Sequence, residues 1–467
     1  MVPTILTIFG VTGDLSYKKL FPALIHLYMN GYLPSRIHII GVGRRAWNDE
    51  DLRAYVSDAL TAKGHHHPQE IIDQFLALFE YRQGDFDERE MYTRLGESIE
   101  KTEKIFGTCT NKLFYFAVPP HYYEMIARHV HDAGLSKPCA DDTGWARILV
   151  EKPFGEDTKS AQELDTLLGS LFKENQIYRI DHYLAKEALQ NILAFRFSNT
   201  LYESIWDAQS IERVEIIFHE KDGVGTRGNF YDKTGALRDV GQNHVLQMVA
   251  LIAMDRPDSL EANDIRTKRE EVLASIIPIT EYARAQYEGY TKEPGVEPYS
   301  QTETFFRLIL ELRSKRWAGV PFILESGKGM DRSYVEITIY FRETSCLCPA
   351  DSNHVPHRNT LTFRIQPDEA IRSVFWIKRP GFLFELQKQE LSFEYAQSKE
   401  ELTIPDAYER ILFDCIAGDQ TLFLSTREVL LAWQVITPII EQWKSDTLLK
   451  YERGSAGPLI KSNSNTV

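Results

Sequence analysis

Thr4-Ile5-Leu6-Thr7-Ile8-Phe9-Gly10-Val11-Thr12-Gly13-Asp14-Leu15 and, a little further on, Ile37-His38-Ile39-Ile40-Gly41-Val42-Gly43-Arg44-Arg45 decide the fold. Thr4–Phe9 is a short apolar run that stops at a glycine, the pattern of a strand buried on both faces of a parallel sheet. Asp14 is placed to cap the helix that follows, and Leu15, Leu20, Ala23, Leu24 and Leu27 recur near helical spacing. Gly31 and Pro34 end that helix, and Ile37–Val42 is a second strand. Thr4 to Val42 therefore reads as one βαβ unit.

Outward from this unit, helices are expected over Asp49–Ala62, Pro68–Phe79, Asp87–Phe106 and Tyr122–Ala133, and strands over Lys112–Val118 and Arg147–Glu151. Together they predict an open, doubly wound, Rossmann-like α/β sheet. Past about residue 180 the pattern changes. Alternating runs at Ile211–His219, Tyr334–Phe341, Thr360–Ile365 and Val374–Arg379 read as strands, and His244–Met254, Ser300–Glu311 and Ala407–Ala417 as helices. Strands without an intervening helix imply a mainly antiparallel sheet backed by helices, an α+β arrangement. The reading is thus a dinucleotide-binding domain over 1–176 and a larger substrate-binding and oligomerisation domain over 177–467. Gly454–Val467, rich in Ser, Asn and Gly, is expected to fray.

The chain has 467 residues, 43% of them apolar, enough for two or three domains with a large core. A formal net charge of −14 argues against a nucleic-acid partner, which needs a basic footprint, but not against a small anionic ligand. No apolar run reaches the length of a membrane span, and the start lacks the basic region of a secretory signal, so the expected location is the cytoplasm. Cys109, Cys139, Cys346, Cys348 and Cys415 are scattered and lack zinc-ligand spacing, so reduced cysteines and no metal are expected. His65-His66-His67, among Lys63, Gly64 and Pro68, reads as a solvated loop rather than a metal tract.

Several segments carry chemistry. Gly10, Thr12 and Gly13 lie between a strand and a helix, where backbone N–H groups and the helix N-terminus hold a pyrophosphate. The second strand ends in Arg44-Arg45 instead of an acid, which favours NADP over NAD. Glu151-Lys152-Pro153-Phe154-Gly155 follows a strand at its ligand-bearing end, with the isomer of Pro153 open. Arg179-Ile180-Asp181-His182-Tyr183-Leu184-Ala185-Lys186-Glu187 pairs His182 with Lys186 four residues on; with a helix from Tyr183 they share a face suited to a phosphate. Arg238-Asp239-Val240-Gly241-Gln242-Asn243-His244 leads into an apolar helix; His244 is either a satisfied core histidine or a base needing a carboxylate such as Asp181.

In this order and spacing the segments resemble the glucose-6-phosphate dehydrogenase family, together with Thr302-Glu303-Thr304-Phe305, Arg316-Trp317-Ala318-Gly319-Val320-Pro321-Phe322 and Ala407-Tyr408-Glu409-Arg410. The resemblance runs from about Thr4 to Pro458. It implies an NADP-dependent oxidation of glucose 6-phosphate at C1 to the lactone, the entry step of the pentose phosphate pathway, with NAD as a second choice of cofactor. It makes His244 the base and Asp181 its partner. It assigns Lys152, His182, Tyr183, Lys186, Asp239 and Lys328 to the sugar phosphate. The cofactor falls to Gly10, Thr12, Gly13, Asp14, Lys19, Arg44 and Lys152. A homodimer or homotetramer is implied.

Three departures bear on specificity. Gly225 stands where a glutamate is usual ahead of Arg227, Ser333 stands where a further basic residue follows Lys328, and Glu325 and Tyr334 replace basic residues of a second dinucleotide site, so no such site is expected. The first two predict loosened discrimination among hexose 6-phosphates, unless Glu220 or Asp222 fills the gap. Two competing readings are the same chemistry on another hexose phosphate or a free sugar, and a non-catalytic sensor of dinucleotide or sugar phosphate.

Overall fold

The computed structural model describes residues 2–62, 67–138, 144–279, 281–343, 357–395 and 404–460. The chain divides into two units, each with its own sheet. The first comprises Met1–Ala185, Glu261–Arg266 and Pro405–Val429; the second comprises Lys186–Leu260, Thr267–Ile404 and Leu430–Val467.

In the first unit β1 (Thr4–Phe9), β2 (Ile37–Gly43), β3 (Phe79–Gln83), β4 (Asn111–Phe116), β5 (Ala146–Val150) and β6 (Ile177–Ile180) are parallel, in the order β6-β5-β4-β1-β2-β3. Every residue of β1 and β4 is buried, as a central parallel strand demands. The strand order reverses between β1 and β4, which puts the ligand crevice at the carboxyl ends of these strands. Beyond the boundary read near Gln176, β6 continues this sheet, and a seventh strand, Phe423–Leu424, returns antiparallel to it.

In the second unit β7 (Ile211–Glu220), β8 (Glu281–Tyr287), β9 (Phe305–Leu310), β10 (Phe322–Lys328), β11 (Tyr334–Phe341), β12 (Thr360–Gln366), β13 (Ala370–Lys378) and β14 (Leu386–Glu394) form a mainly antiparallel sheet, completed by Leu449–Tyr451. Among the described strands of this sheet, only β7 with β10 and β8 with Leu449–Tyr451 pair in parallel. Val335, Ile337 and Ile339 on β11 and Leu361, Phe363 and Ile365 on β12 are fully buried on one face, each worth about 1.5–3 kcal/mol of burial. The helix Glu187–Ser198 covers that face, with Phe195 edge-on to Phe363 at 5.3 Å. Behind it lies the helix Leu246–Ala253, every residue of which is buried.

Several expectations are corrected. Ser300–Glu311 contains β9, not a helix: Phe305 and Phe306 lead an apolar strand held between β8 and β10, and this two-sided pairing outweighs local pattern. The helix expected to Phe79 stops at Leu76, and Phe79 opens β3. Asp14 makes no cap; it is exposed and paired with Lys18 at 2.7 Å, while the Ser16 hydroxyl donates to the Gly10 carbonyl. No helix begins at Tyr183, because residues 182–186 form a turn and the helix starts at Glu187. The tail is anchored as far as Ser455: the Gly454 N–H donates to the Gly329 carbonyl and Asp331 N–H to that of Ser455. Cys109 is disulfide-bonded, against the expectation of reduced cysteines throughout, whereas Cys415 is a buried thiol. His65 and His66 also lie outside the described residues. Among the described residues no helix is long and apolar enough to cross a membrane.

Candidate functional site

Gly10, Arg44 and Asp181 follow directly on β1, β2 and β6, and Lys152 comes two residues after β5, so the first sheet gathers them along one carboxyl edge from segments far apart in sequence. Gly10 has φ +81°, and a Cβ there would meet the Ala117 carbonyl oxygen at 2.3 Å; β1 and the end of β4 cross too closely for any side chain. The Gly13 N–H closes a turn on the Gly10 carbonyl at 2.9 Å, and Thr12 lies half-buried between them, its carbonyl accepting from Tyr55. Arg44 is exposed at the end of β2, while Arg45 stacks on Trp47 at 4.8 Å. Both arginines are exposed, and Arg45 is the one set against aromatic rings.

The turn after β5 contains a cis Lys152–Pro153 bond. Gly155, at φ +86°, lies so close to the helix Thr158–Leu171 that a Cβ would meet Ala161 N at 2.5 Å. Asp181 is 1% exposed and its Oδ1 accepts the Tyr183 N–H at 3.0 Å, which shapes the turn. The half-buried His182 ring lies parallel to that of Tyr408 at 6.4 Å, and the Lys19 ammonium is 5.8 Å from the same ring and 3.3 Å from Asp406. Tyr408, from the helix Ala407–Ala417, is the hub that sequence reading quoted only as part of a motif.

In the second unit Leu237–Val245 is a wide helical segment in which a main-chain turn opens before the helix Leu246–Ala253. Wide turns of this kind recur at functional sites because they turn a side chain off the regular helical face. His244 is 1% exposed, with its ring parallel to Phe218 at 6.3 Å, and its N–H donates to Asn243 Oδ1 at 2.7 Å. Asn243 in turn donates to the Asp239 carbonyl at 3.1 Å. The Asp239 carboxylate lies 3.8 Å from Arg227.

The buried Lys328 ammonium contacts the Glu220 carboxylate and lies 5.3 Å from the Tyr231 ring centre. Burial, and then the negative fields of Asp239, Glu303 and Glu220, push the Tyr231 phenol well above its ordinary range, which places these acids around one buried ring. Elsewhere in this unit Lys186 Nζ donates to Gln366 Oε1 at 2.7 Å. Tyr183, Asp181 and His182 belong to the first unit, so this half of the motif divides between the two at Lys186.

Local pattern offers Glu220 only as an alternative and does not single out Gln366, because each ends a strand whose partner cation lies more than 100 residues away. Gly225 has φ +53° with open space around it, and Ser333 Oγ accepts the Lys221 N–H at 2.8 Å. Glu325 accepts from His219 at 2.9 Å and from Arg307 at 3.2 Å.

Residues 7–191 match the family described as glucose-6-phosphate dehydrogenase, NAD binding domain, and residues 193–464 its C-terminal domain. A glucose-6-phosphate 1-dehydrogenase of Arabidopsis thaliana, named a cytoplasmic form, is 38% identical over 97% of this chain and 88% of its own length. The enzyme of that name from Bacillus subtilis is 36% identical over 97% of this chain and 95% of its own. A solved glucose-6-phosphate dehydrogenase in complex with its substrate glucose 6-phosphate superposes with a TM-score of 0.91 at 34% identity, covering 98% of this chain and 96% of that one. Matched by both halves of the family pattern and related over nearly its whole length, the chain belongs to the glucose-6-phosphate dehydrogenase family.

Proposed function

We propose that the protein oxidises glucose 6-phosphate at C1, delivering the hydride to NADP and releasing the lactone at the entry of the pentose phosphate pathway. The observation that carries this reading is the retention, in family order, of every chemistry-bearing segment, with those of the first unit gathered along one sheet edge. His244 takes the proton of the C1 hydroxyl as the C1–H bond gives up its hydride, so no high-energy alkoxide accumulates. Asp181 is the carboxylate that stabilises the imidazolium. The bound dinucleotide supplies the hydride acceptor. Lys186 and His182, with Tyr183, hold the phosphate, while Lys152, Asp239 and Lys328 orient ring hydroxyls.

Gly10, Thr12, Gly13, Asp14 and Lys19 hold the dinucleotide, and the exposed Arg44 meets a 2′-phosphate. Glu220, already against Lys328, is the acid that can take the role expected at Gly225, while Ser333 still offers no cation, so loosened discrimination among hexose 6-phosphates stays the expectation that the sugar panel below tests. We place the protein in the cytoplasm, as its Arabidopsis relative is named, and as a homodimer or homotetramer through β14, whose Leu391 and Phe393 are 66% and 49% exposed.

The test is absorbance at 340 nm with purified protein, glucose, galactose and mannose 6-phosphates, free glucose and both cofactors. The expected result is turnover of glucose 6-phosphate, with higher kcat/KM for NADP than NAD. Arg44→Ala should weaken NADP by about 1.5–3 kcal/mol, the worth of a hydrogen bond to a charged group, and leave NAD unchanged. Preference for NAD in the wild type overturns the role of Arg44, and no reduction with any sugar overturns the activity.

A further inference from the structure

We propose that Glu151, at the end of β5, is a positioning residue for this reaction, holding Lys152, His182 and Lys19 in register through its hydrogen bonds with Tyr115 and Tyr408; the proposal rests on the functional reading above. Glu151 immediately precedes Lys152. Its Oε1 accepts from the Tyr115 hydroxyl at 2.6 Å, and the Tyr408 hydroxyl donates to the same carboxylate. Its backbone carbonyl accepts from the Tyr123 hydroxyl at 2.9 Å, so side chain and main chain are both held. Tyr408 then passes the constraint on, because the His182 ring, at 6.4 Å, and the Lys19 ammonium, at 5.8 Å, both lie near its ring. One carboxyl thereby joins β4, β5 and the helix Ala407–Ala417, which enters this unit more than 200 residues later in the chain.

The carboxylate matters as a charge as well as an acceptor. The groups facing it are Tyr115 from β4, Tyr123 from the helix Tyr123–Asp132, Lys152 next in the chain, Tyr408 from its helix and Asp181 after β6. Removal from water pushes the Glu151 carboxyl up to about 7; Asp181 adds to the rise, while Tyr115, Lys152 and Tyr408 oppose it. Its charge therefore changes within the working range of an enzyme. Above that range the carboxylate attracts Lys152 and draws both phenols by charge-assisted hydrogen bonds. Below it the proton removes that attraction, and Lys152 and Tyr408 loosen together. The sign follows: ligand affinity falls as pH drops through about 7.

The experiment compares wild type, Glu151→Gln and Tyr408→Phe from pH 6 to 9, reading the Kd of NADPH from its fluorescence beside kcat and KM. Glu151→Gln copies the protonated carboxyl in shape and charge. It should show, at every pH, the weakened Kd and KM that the wild type reaches only at pH 6, about tenfold above the wild type at pH 9, the scale of one charge-assisted hydrogen bond. Its kcat should fall by less than the KM rises. Tyr408→Phe removes one influence that holds the carboxyl down, so the midpoint of the pH dependence should move to higher pH. Glu151→Gln with wild-type Kd and KM, or with the wild-type pH dependence intact, overturns the proposal, as does an unmoved midpoint in Tyr408→Phe. A wild type that oxidises no sugar phosphate overturns the functional reading and this proposal with it, whereas an active wild type with an indifferent Glu151→Gln overturns the proposal alone.

Discussion

At the scale of residues, the site depends on side chains whose burial has to be offset by specific partners. His244 is nearly inaccessible, with its ring parallel to that of Phe218 and its backbone N–H bonded to Asn243. His244→Ala is expected to lower kcat by about 10²–10⁴, the range for losing a positioned base, while the Kd of NADPH stays within twofold of wild type. Rapid-mixing kinetics alongside NADPH fluorescence checks this, with a thermal scan to show that the variant is folded; near-normal turnover would remove His244 from the chemistry. His244 enters the sequence reading as a candidate base through the Asp181-His182 pair upstream and the family order of the segments, since a histidine before an apolar helix by itself fits a satisfied core residue. The Glu220–Lys328 contact was not legible there, since Glu220 is one acid among several near a loop and only strand pairing brings it to Lys328.

At the scale of elements, the helix that follows His244 ends inside the protein and needs its last carbonyls satisfied. Three buried side chains do this. Arg196 donates to the Leu251 and Met254 carbonyls at 2.7 Å each, Trp206 to Ile252 at 2.8 Å and Trp317 to Ala253 at 2.8 Å. The Arg-Trp-Ala-Gly-Val-Pro-Phe segment is therefore an anchor for the helix as well as a family mark. Burial lowers the Arg196 guanidinium to about 9, which shows how little solvent reaches it. Arg196→Met keeps the bulk but orphans two carbonyls, at about 1–3 kcal/mol each. It should lower Tm by several degrees by calorimetry and leave the KM of glucose 6-phosphate near the wild-type value at 25 °C. An unchanged Tm would mean that water replaces the guanidinium.

At the scale of the molecule, each unit buries its own sheet, but the second leaves one margin apolar and open. Around β14, Phe382, Leu383, Leu391 and Phe393 are exposed, a feature that a monomer of this size avoids because such edges pair with other chains. A second copy of the chain is the occupant proposed above. Leu391→Asp with Phe393→Asp should convert a dimer to monomer in analytical ultracentrifugation, with the first unit's NADPH binding preserved. A sedimentation coefficient that does not change with this substitution places the subunit contact elsewhere.

The sequence alone determined the βαβ opening, the glycine turn, the arginine after β2 and the order of the family segments, because each depends on a few neighbouring residues whose conformational preferences are local. It also placed Tyr334–Phe341 and Ala407–Ala417, whose periodicities are strong over their whole length. Tertiary structure decided what long-range pairing controls. Phe305–Leu310 is a strand because β8 and β10 flank it, and residues 182–186 form a turn because Asp181 accepts the Tyr183 N–H instead of letting a helix begin. Phe423–Leu424 joins β6 from across the chain, and the helix before it brings Tyr408 to Glu151, Lys19 and His182. Those contacts cost chain entropy that only the completed sheet offsets, so no local pattern announces them.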